Sequence, residues 1–360
     1  MHLSNSGFFP TVLCTLLFLG FSSATAQQQS TSPEDLSLGS INFPTSASGK
    51  AQQEFLTGVL ALHSFWYPEA RTHFQRAREL DPHFAMAYWG EAMTHDHPIW
   101  KQHNQEAGLK VLQQLDREIK NEDIKWSGRK QAYIEAIRIL YNNELSMDER
   151  RKKYAQAMKQ LYKQYPSDET LAFAALASMT VPSHNYSNPD VRDVVPIASK
   201  LEQLYQRNPE HPGGMHYLIH LYDNEKFAEL GLRPAHDYAN VAYSSSHAIH
   251  MPSHIYKQLE MWDRVIKSNI SAWQASVDWQ TKTDRPLKNR DFHSYRWLFE
   301  AYLEVANFDK ACDIINNTRS MMGKAKDKNQ DVGRMPELLE NFVDQYNNSA
   351  GEGAPACSSQ

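Results

Sequence analysis

The stretch Phe55-Leu-Thr-Gly-Val-Leu-Ala-Leu-His-Ser-Phe-Trp-Tyr-Pro-Glu-Ala-Arg-Thr-His-Phe-Gln-Arg-Ala-Arg-Glu-Leu-Asp-Pro82 decides the fold class. It reads as two antiparallel helices in close contact. Gly58, Ala70 and Ala77 are small enough to let the helices approach, and Tyr67 and Phe74 are large enough to fill the opposing holes. Pro82 ends the second helix, because its ring and missing N–H cannot continue one.

Weaker copies follow. Residues 85–120 hold Ala-Met-Ala-Tyr-Trp-Gly-Glu-Ala-Met and then an amphipathic stretch; 128–166 end in Leu-Tyr-Lys-Gln-Tyr-Pro, and 168–209 in Leu-Tyr-Gln-Arg-Asn-Pro. Residues 247–276 contain Met261-Trp262-Asp263-Arg264-Val265-Ile266, and 292–319 contain Ala306-Asn307-Phe308-Asp309-Lys310-Ala311. This makes about seven helical pairs on a period of roughly 34 residues. The placement of small and large packing residues over 52–320 resembles the tetratricopeptide (TPR) repeat family. The resemblance implies an all-α, TPR-type α-solenoid, and by itself no activity. More narrowly, His211-Pro-Gly-Gly-Met-His-Tyr-Leu-Ile-His-Leu-Tyr-Asp and His247-Ala-Ile-His-Met-Pro-Ser-His-Ile-Tyr resemble segments of secreted, largely uncharacterised TPR proteins.

The ends of the chain carry a different composition. The apolar run from Thr11 to Phe21, followed by Ser22-Ser-Ala-Thr-Ala26, predicts a signal peptide over 1–26 and a secreted protein. The run is shorter than the roughly 20 apolar residues of a spanning helix, so no membrane span is expected after signal removal. Residues 27–50 read as a flexible leader, 51–320 as the repeat domain, 321–347 as a capping helix region and 348–360 as a disordered tail. A net charge of −5 without a basic stripe excludes nucleic acid as a partner. Signal removal leaves Cys312 and Cys357, which permit one disulfide and no disulfide framework. Sequons stand at Asn185, Asn269, Asn316 and Asn347. In the repeat register Asn269 takes the place of the packing Phe74 and faces inward, so Asn185 and Asn347 are the accessible glycosylation sites.

The histidines point to a site. His216 and His220 lie four apart, as do His250 and His254, and the second pair follows the first at 34 residues, one repeat on. Residues four apart stand on one helical face, and packed helices lie roughly 8–10 Å apart. Imidazoles from neighbouring repeats can thus meet around an ion in the concave groove. His247, His293 and Asp223 fall close enough to join them. Pro252, between His250 and His254, either starts that helix or kinks it. The run Pro212-Gly213-Gly214 gives the preceding helix a permissive start that lets another group come close. His63 and His97 are also 34 apart and share one register position, but without partners. A lone histidine there is ordinarily a surface hydrogen-bonding residue, as are His95 and His103. Trp89, Trp100, Trp273, Trp279 and Trp297 read as solenoid core.

An imidazole-rich set without thiolate suits a transition metal, copper or zinc, better than Mg²⁺ or Ca²⁺. His216-Tyr-Leu-Ile-His220 lacks the glutamate of a His-Glu-x-x-His hydrolase, and no Cys-x-x-Cys-His offers a haem attachment. Six imidazoles could serve two copper ions, three each. Two functions follow. One is a metal-dependent enzyme with Asp223 as base or ligand, acting on a peptide or small-molecule ligand in the groove. The other is a secreted binding or extracellular-matrix protein that uses the groove without catalysis.

Overall fold

The computed structural model describes residues 36–120, 126, 128–185, 188–350 and 357. The signal-peptide region lies outside them. The described chain is all-helical: α1 (Gly49–His63), α2 (Tyr67–Leu80), α3 (Ala85–Met93), α4 (Gln105–Ile119), α5 (Gly128–Leu140), α6 (Met147–Gln164), α7 (Asp168–Met179), α8 (Val191–Arg207), α9 (Pro212–Tyr222), α10 (Leu232–Val241), α11 (Ser246–His250), α12 (Pro252–Gln258), α13 (Trp262–Lys282), α14 (Phe292–Glu304), α15 (Phe308–Asp327) and α16 (Met335–Ala350). One short hairpin, β1 (Asp96–His97) and β2 (Gln102–His103), interrupts the helices between α3 and α4. Among the described residues no helix is long and apolar enough to cross a membrane.

Consecutive helices pack on one another: α1 on α2, α2 on α3, α5 on α6, α6 on α7, α13 on α14 and α15 on α16. The decisive stretch shows why. Phe74, fully buried, lies in a hole between Gly58 and Gly90, where an added Cβ would stand 2.7 and 2.3 Å from its ring. The two glycines are therefore needed for contact between helices, because any side chain would displace that ring. Capping boxes start α6 at Ser146 and α7 at Ser167, each satisfying backbone donors that the first turn leaves free. Asn269 is fully buried on α13, facing inward as the register requires, whereas Asn185 and Asn347 are exposed.

Both ends of the described chain are tied down more firmly than composition suggests. Within the stretch read as a flexible leader, residues 36–48 have no regular secondary structure but are pinned. Leu38 and Phe43 are buried, Phe43 packs against Phe55, Trp89 and Tyr133, and the Ser40 N–H donates to the Glu210 carbonyl at 2.9 Å. Two apolar anchors and a backbone hydrogen bond outweigh the entropy of a polar segment. In the stretch read as a disordered tail, α16 continues to Ala350, and Cys357 is bridged to Cys312 with 5.4 Å between their Cα atoms. One apolar cluster runs from Leu38 to Trp279, and α14, α15 and α16 build a second around Phe299 and Phe342.

A buried charge cluster joins the first helical pair to α13. His73 Nδ1 lies 2.6 Å from Glu54 and Nε2 3.4 Å from Glu69, and Trp279 Nε1 donates to Glu69 at 3.1 Å. Burial alone would depress His73, but its hydrogen bonds to both carboxylates and their charge outweigh it and raise its pKa above the ordinary 6.5. A raised folded pKa gives stability that is complete below the unfolded value and is lost as pH rises through the folded one. His73 itself should therefore contribute a stability that declines above pH 6.5, against the opposite contribution of buried histidines whose pKa is lowered, such as His63 and His216. Denaturant titration of the parent and of His73→Gln between that pH and about 8.5, below the tyrosine range, should show the difference in unfolding free energy between them shrinking as pH rises. An identical slope in the variant would contradict this assignment.

Candidate metal centre

Three first helices of successive pairs supply the histidines. Pro212 opens α9, with His211 as N-cap accepting the Gly214 N–H at 3.3 Å, and α9 then presents His216 and His220 one turn apart. The next helix breaks at Met251, where Pro252 opens α12, so α11 carries His247 and His250 and α12 carries His254. The break keeps His250 and His254 on one face, with Nε2 atoms 3.1 Å apart. His293 sits in the first turn of α14.

The six imidazoles divide into two groups of three. One nitrogen from each of His216, His220 and His247 lies within 4.8 Å of the other two, and the same holds for His250, His254 and His293. The groups face each other: ring centres of His220 and His254 are 5.6 Å apart, and those of His247 and His250 5.9 Å. Four of the six, His220, His247, His254 and His293, line a pocket together with Asp223. His216 and His250 are fully buried, and His220, His247 and His254 are at most 9% exposed. The cover comes from the turn after α1, from the hairpin and from Trp297 of α14.

Hydrogen bonds assign the tautomers. His216 Nδ1 donates to the His63 carbonyl at 2.6 Å. His254 Nδ1 donates to Asp223 at 2.6 Å, and Gln258 holds the other Asp223 oxygen at 2.9 Å. His250 Nδ1 donates to Asn269 Oδ1 at 2.6 Å; that amide is oriented by its own NH₂ donating to the Val265 carbonyl. A neutral imidazole that donates from Nδ1 carries a lone pair on Nε2. His250 and His254 therefore aim two lone pairs at each other across 3.1 Å. His216 aims one at His247 across 3.2 Å, and His220 Nε2 is buried with no hydrogen-bond partner among the described residues. Lone pairs at such distances repel unless a cation lies between them. Burial is the first cause that lowers the pKa of His216 and His293 to about 3, and that of His220, His247 and His250 well below the ordinary value. Neutral imidazole is the form that ligates a metal.

Aromatic side chains enclose the groups. Phe65, at φ 51°, occupies the left-handed region in the turn between α1 and α2. The conformation is unfavourable for a bulky residue, and it lays the ring 4.3 Å from His216, with His220 and His247 within 5.9 Å. Trp297 does the same for the other group, 4.4 Å from His254 and 5.1 Å from His250. Trp100, at the hairpin tip, reaches both, 5.5 Å from His247 and 6.4 Å from His293. Of the five tryptophans read as core, Trp89 and Trp279 are buried there, and Trp100 and Trp297 face the site.

His63 and His97 do not share an environment. His97 stacks on Tyr67 at 3.8 Å in the hairpin. His63 is fully buried beneath the first group, with Nε2 2.8 Å from Glu169 and Nδ1 2.8 Å from the Tyr217 hydroxyl. His211 Nε2 meets the other Glu169 oxygen at 3.1 Å. Gly213 permits this, since a Cβ there would stand 2.5 Å from His63 Nδ1. Burial would raise the Glu169 pKa, but His211 and His63 outweigh it and hold it at about 2, while burial lowers that of His63. A carboxylate accepting from two neutral imidazoles satisfies every polar atom of the trio that these bonds involve. His63, Glu169 and His211 also lie close enough to hold an ion, but their nitrogens already meet the carboxylate, the Tyr217 hydroxyl and the Gly214 N–H. Their effect on the site is indirect, because the His63 carbonyl orients His216.

Asp223 stands apart from both groups of three, with each oxygen engaged; it orients His254 and is placed as an outer partner of that ring. Sequence reasoning missed Glu169, His211, Phe65 and Asn269 as contributors. No known protein-family model matches the chain, and no curated protein matches it.

Because it anchors a buried carboxylate, His63→Ala should lower the unfolding free energy by about 3 kcal/mol. His97→Ala, on the half-exposed hairpin, should cost far less. Urea denaturation of the two variants checks this; equal losses would mean that the Glu169 network contributes nothing.

Proposed function

We propose that this chain is an exported protein on a TPR-type repeat scaffold, and that its two groups of three imidazoles hold a pair of transition-metal ions. We further propose that the pair makes it a metal-dependent enzyme acting on a small molecule. The observation that carries the reading is the convergence of two sets of three imidazole nitrogens, each set within 4.8 Å, with Nε2 of His220 buried and without a hydrogen-bond partner among the described residues. Imidazole alone, without thiolate or carboxylate in either group, suits copper and zinc. Two such groups face to face favour copper. The Cys312–Cys357 bridge supports an oxidising compartment and hence export.

The chain's own residues divide the work. His216, His220 and His247 bind on one side, and His250, His254 and His293 on the other. Asp223, Asn269 and the His63 carbonyl set ring orientation, which outer partners commonly do at metal sites. Phe65 and Trp297 exclude water from the back of each group, and the remaining opening faces Ile99 and Trp100. A bound copper pair would supply electron transfer and Lewis acidity there, whereas zinc would supply only the latter.

Elemental analysis of protein loaded with copper and freed of excess should find about two ions per chain. His216→Ala and His250→Ala should each lose metal while circular dichroism keeps its helical signal, since repeat folds draw stability from packing between neighbours. Retention of full metal by both variants, or a parent chain that takes up none, would leave a metal-free scaffold that binds a partner through the same pocket.

A further inference from the structure

The pocket at the opening of the centre has two kinds of lining. His220, His247, His254, His293 and Asp223 are polar, and Ile99 and Trp100, whose ring lies 5.5 Å from His247 and 6.4 Å from His293, are apolar. Its volume is about 230 Å³. An apolar cavity of roughly 150 Å³ is enough to take up benzene, so a six-membered ring has room here. A ligand that matches both kinds of lining is apolar over most of its surface and polar at an edge. Among the described residues no Lys or Arg lines the pocket to pair with an anion.

The apolar lining is held in place from below. Asp96, at the base of the hairpin, is gripped by Arg151 of α6 through contacts of 2.5 and 2.6 Å and by His103 at 2.8 Å. His97 stacks on Tyr67, and the Trp100 ring lies 5.6 Å from that of Phe65. A buried ion pair at the root and aromatic contacts at the tip make Trp100 a fixed surface, so a ligand that stacks on it does not first have to order it.

We infer that the pocket binds an uncharged phenol, with the ring on Trp100 and the hydroxyl turned toward the imidazoles, and that Trp100 sets the preference for an aromatic face. As a statement about substrate this rests on the metal reading above. As a statement about binding it stands on the pocket itself, because its four imidazoles and Asp223 supply the polar edge toward which a phenol O–H can turn without an ion.

The test is isothermal titration of phenol and cyclohexanol into the full chain, with and without copper. Phenol should bind at least about tenfold more tightly than cyclohexanol, which has the same reach and no π-face. Trp100→Ala should weaken phenol by about tenfold and erase its advantage over cyclohexanol, and Trp100→Phe should retain most of the phenol affinity. No measurable phenol binding, or a Trp100→Ala variant that keeps the preference, overturns the inference. Metal content is read separately. Phenol selectivity in a chain that takes up no metal would uphold the binding and sink only the metal-dependent chemistry; metal uptake without phenol selectivity would do the reverse.

Discussion

The architecture of the site depends on which ring nitrogen of each histidine is already in use. Three hydrogen bonds from Nδ1, to the His63 carbonyl, Asn269 and Asp223, turn His216, His250 and His254 so that their Nε2 lone pairs point inward. Without those bonds each buried imidazole could rotate or change tautomer and satisfy itself locally. With them, lone pairs converge at little more than 3 Å in a space that burial keeps neutral. Such an arrangement is costly by itself, since unpaired buried acceptors are destabilising, and a cation relieves it.

Support for the arrangement extends outward in layers. Asn269 can act as an acceptor because Val265 fixes its amide, and the His63 carbonyl is held in place by a side chain locked to Glu169 and Tyr217. Glu169 comes from α7 and His211 from the start of α9, so a single carboxylate joins the first, seventh and ninth helices under the ligand set. His293 comes from α14, which belongs to the second apolar cluster, so the site also joins the two packed parts of the chain. Loss of packing at either cluster should therefore be felt at the site.

Much of this was legible in sequence, for a definable reason. Helical period and repeat period together say which residues share a face, and that is why His216, His220, His250 and His254 could be grouped with His247 and His293. The inward orientation of Asn269 followed from the same register. What the register cannot convey is depth or cover. It placed His63 and His97 alike, although one ends a core helix and the other lies in a hairpin that no repeat predicts. It gave no sign that Phe65 would adopt a left-handed backbone and fold its ring over three imidazoles, because that conformation belongs to a turn. Glu169 and His211 escaped notice because they are far apart in sequence and each is unremarkable by composition. Asp223 was found as base or ligand, but proximity along a helix does not reveal that its two oxygens meet His254 and Gln258.

The central claim is that six imidazoles form two adjoining ligand sets, separate from the nearby His63–Glu169–His211 cluster. Anomalous diffraction at the copper edge, on crystals of the copper-loaded chain, tests it most directly. The account predicts two peaks per chain, one bounded by His216, His220 and His247 and the other by His250, His254 and His293, with none at Glu169. A single peak, a peak on Glu169, or copper held only at surface residues would contradict it.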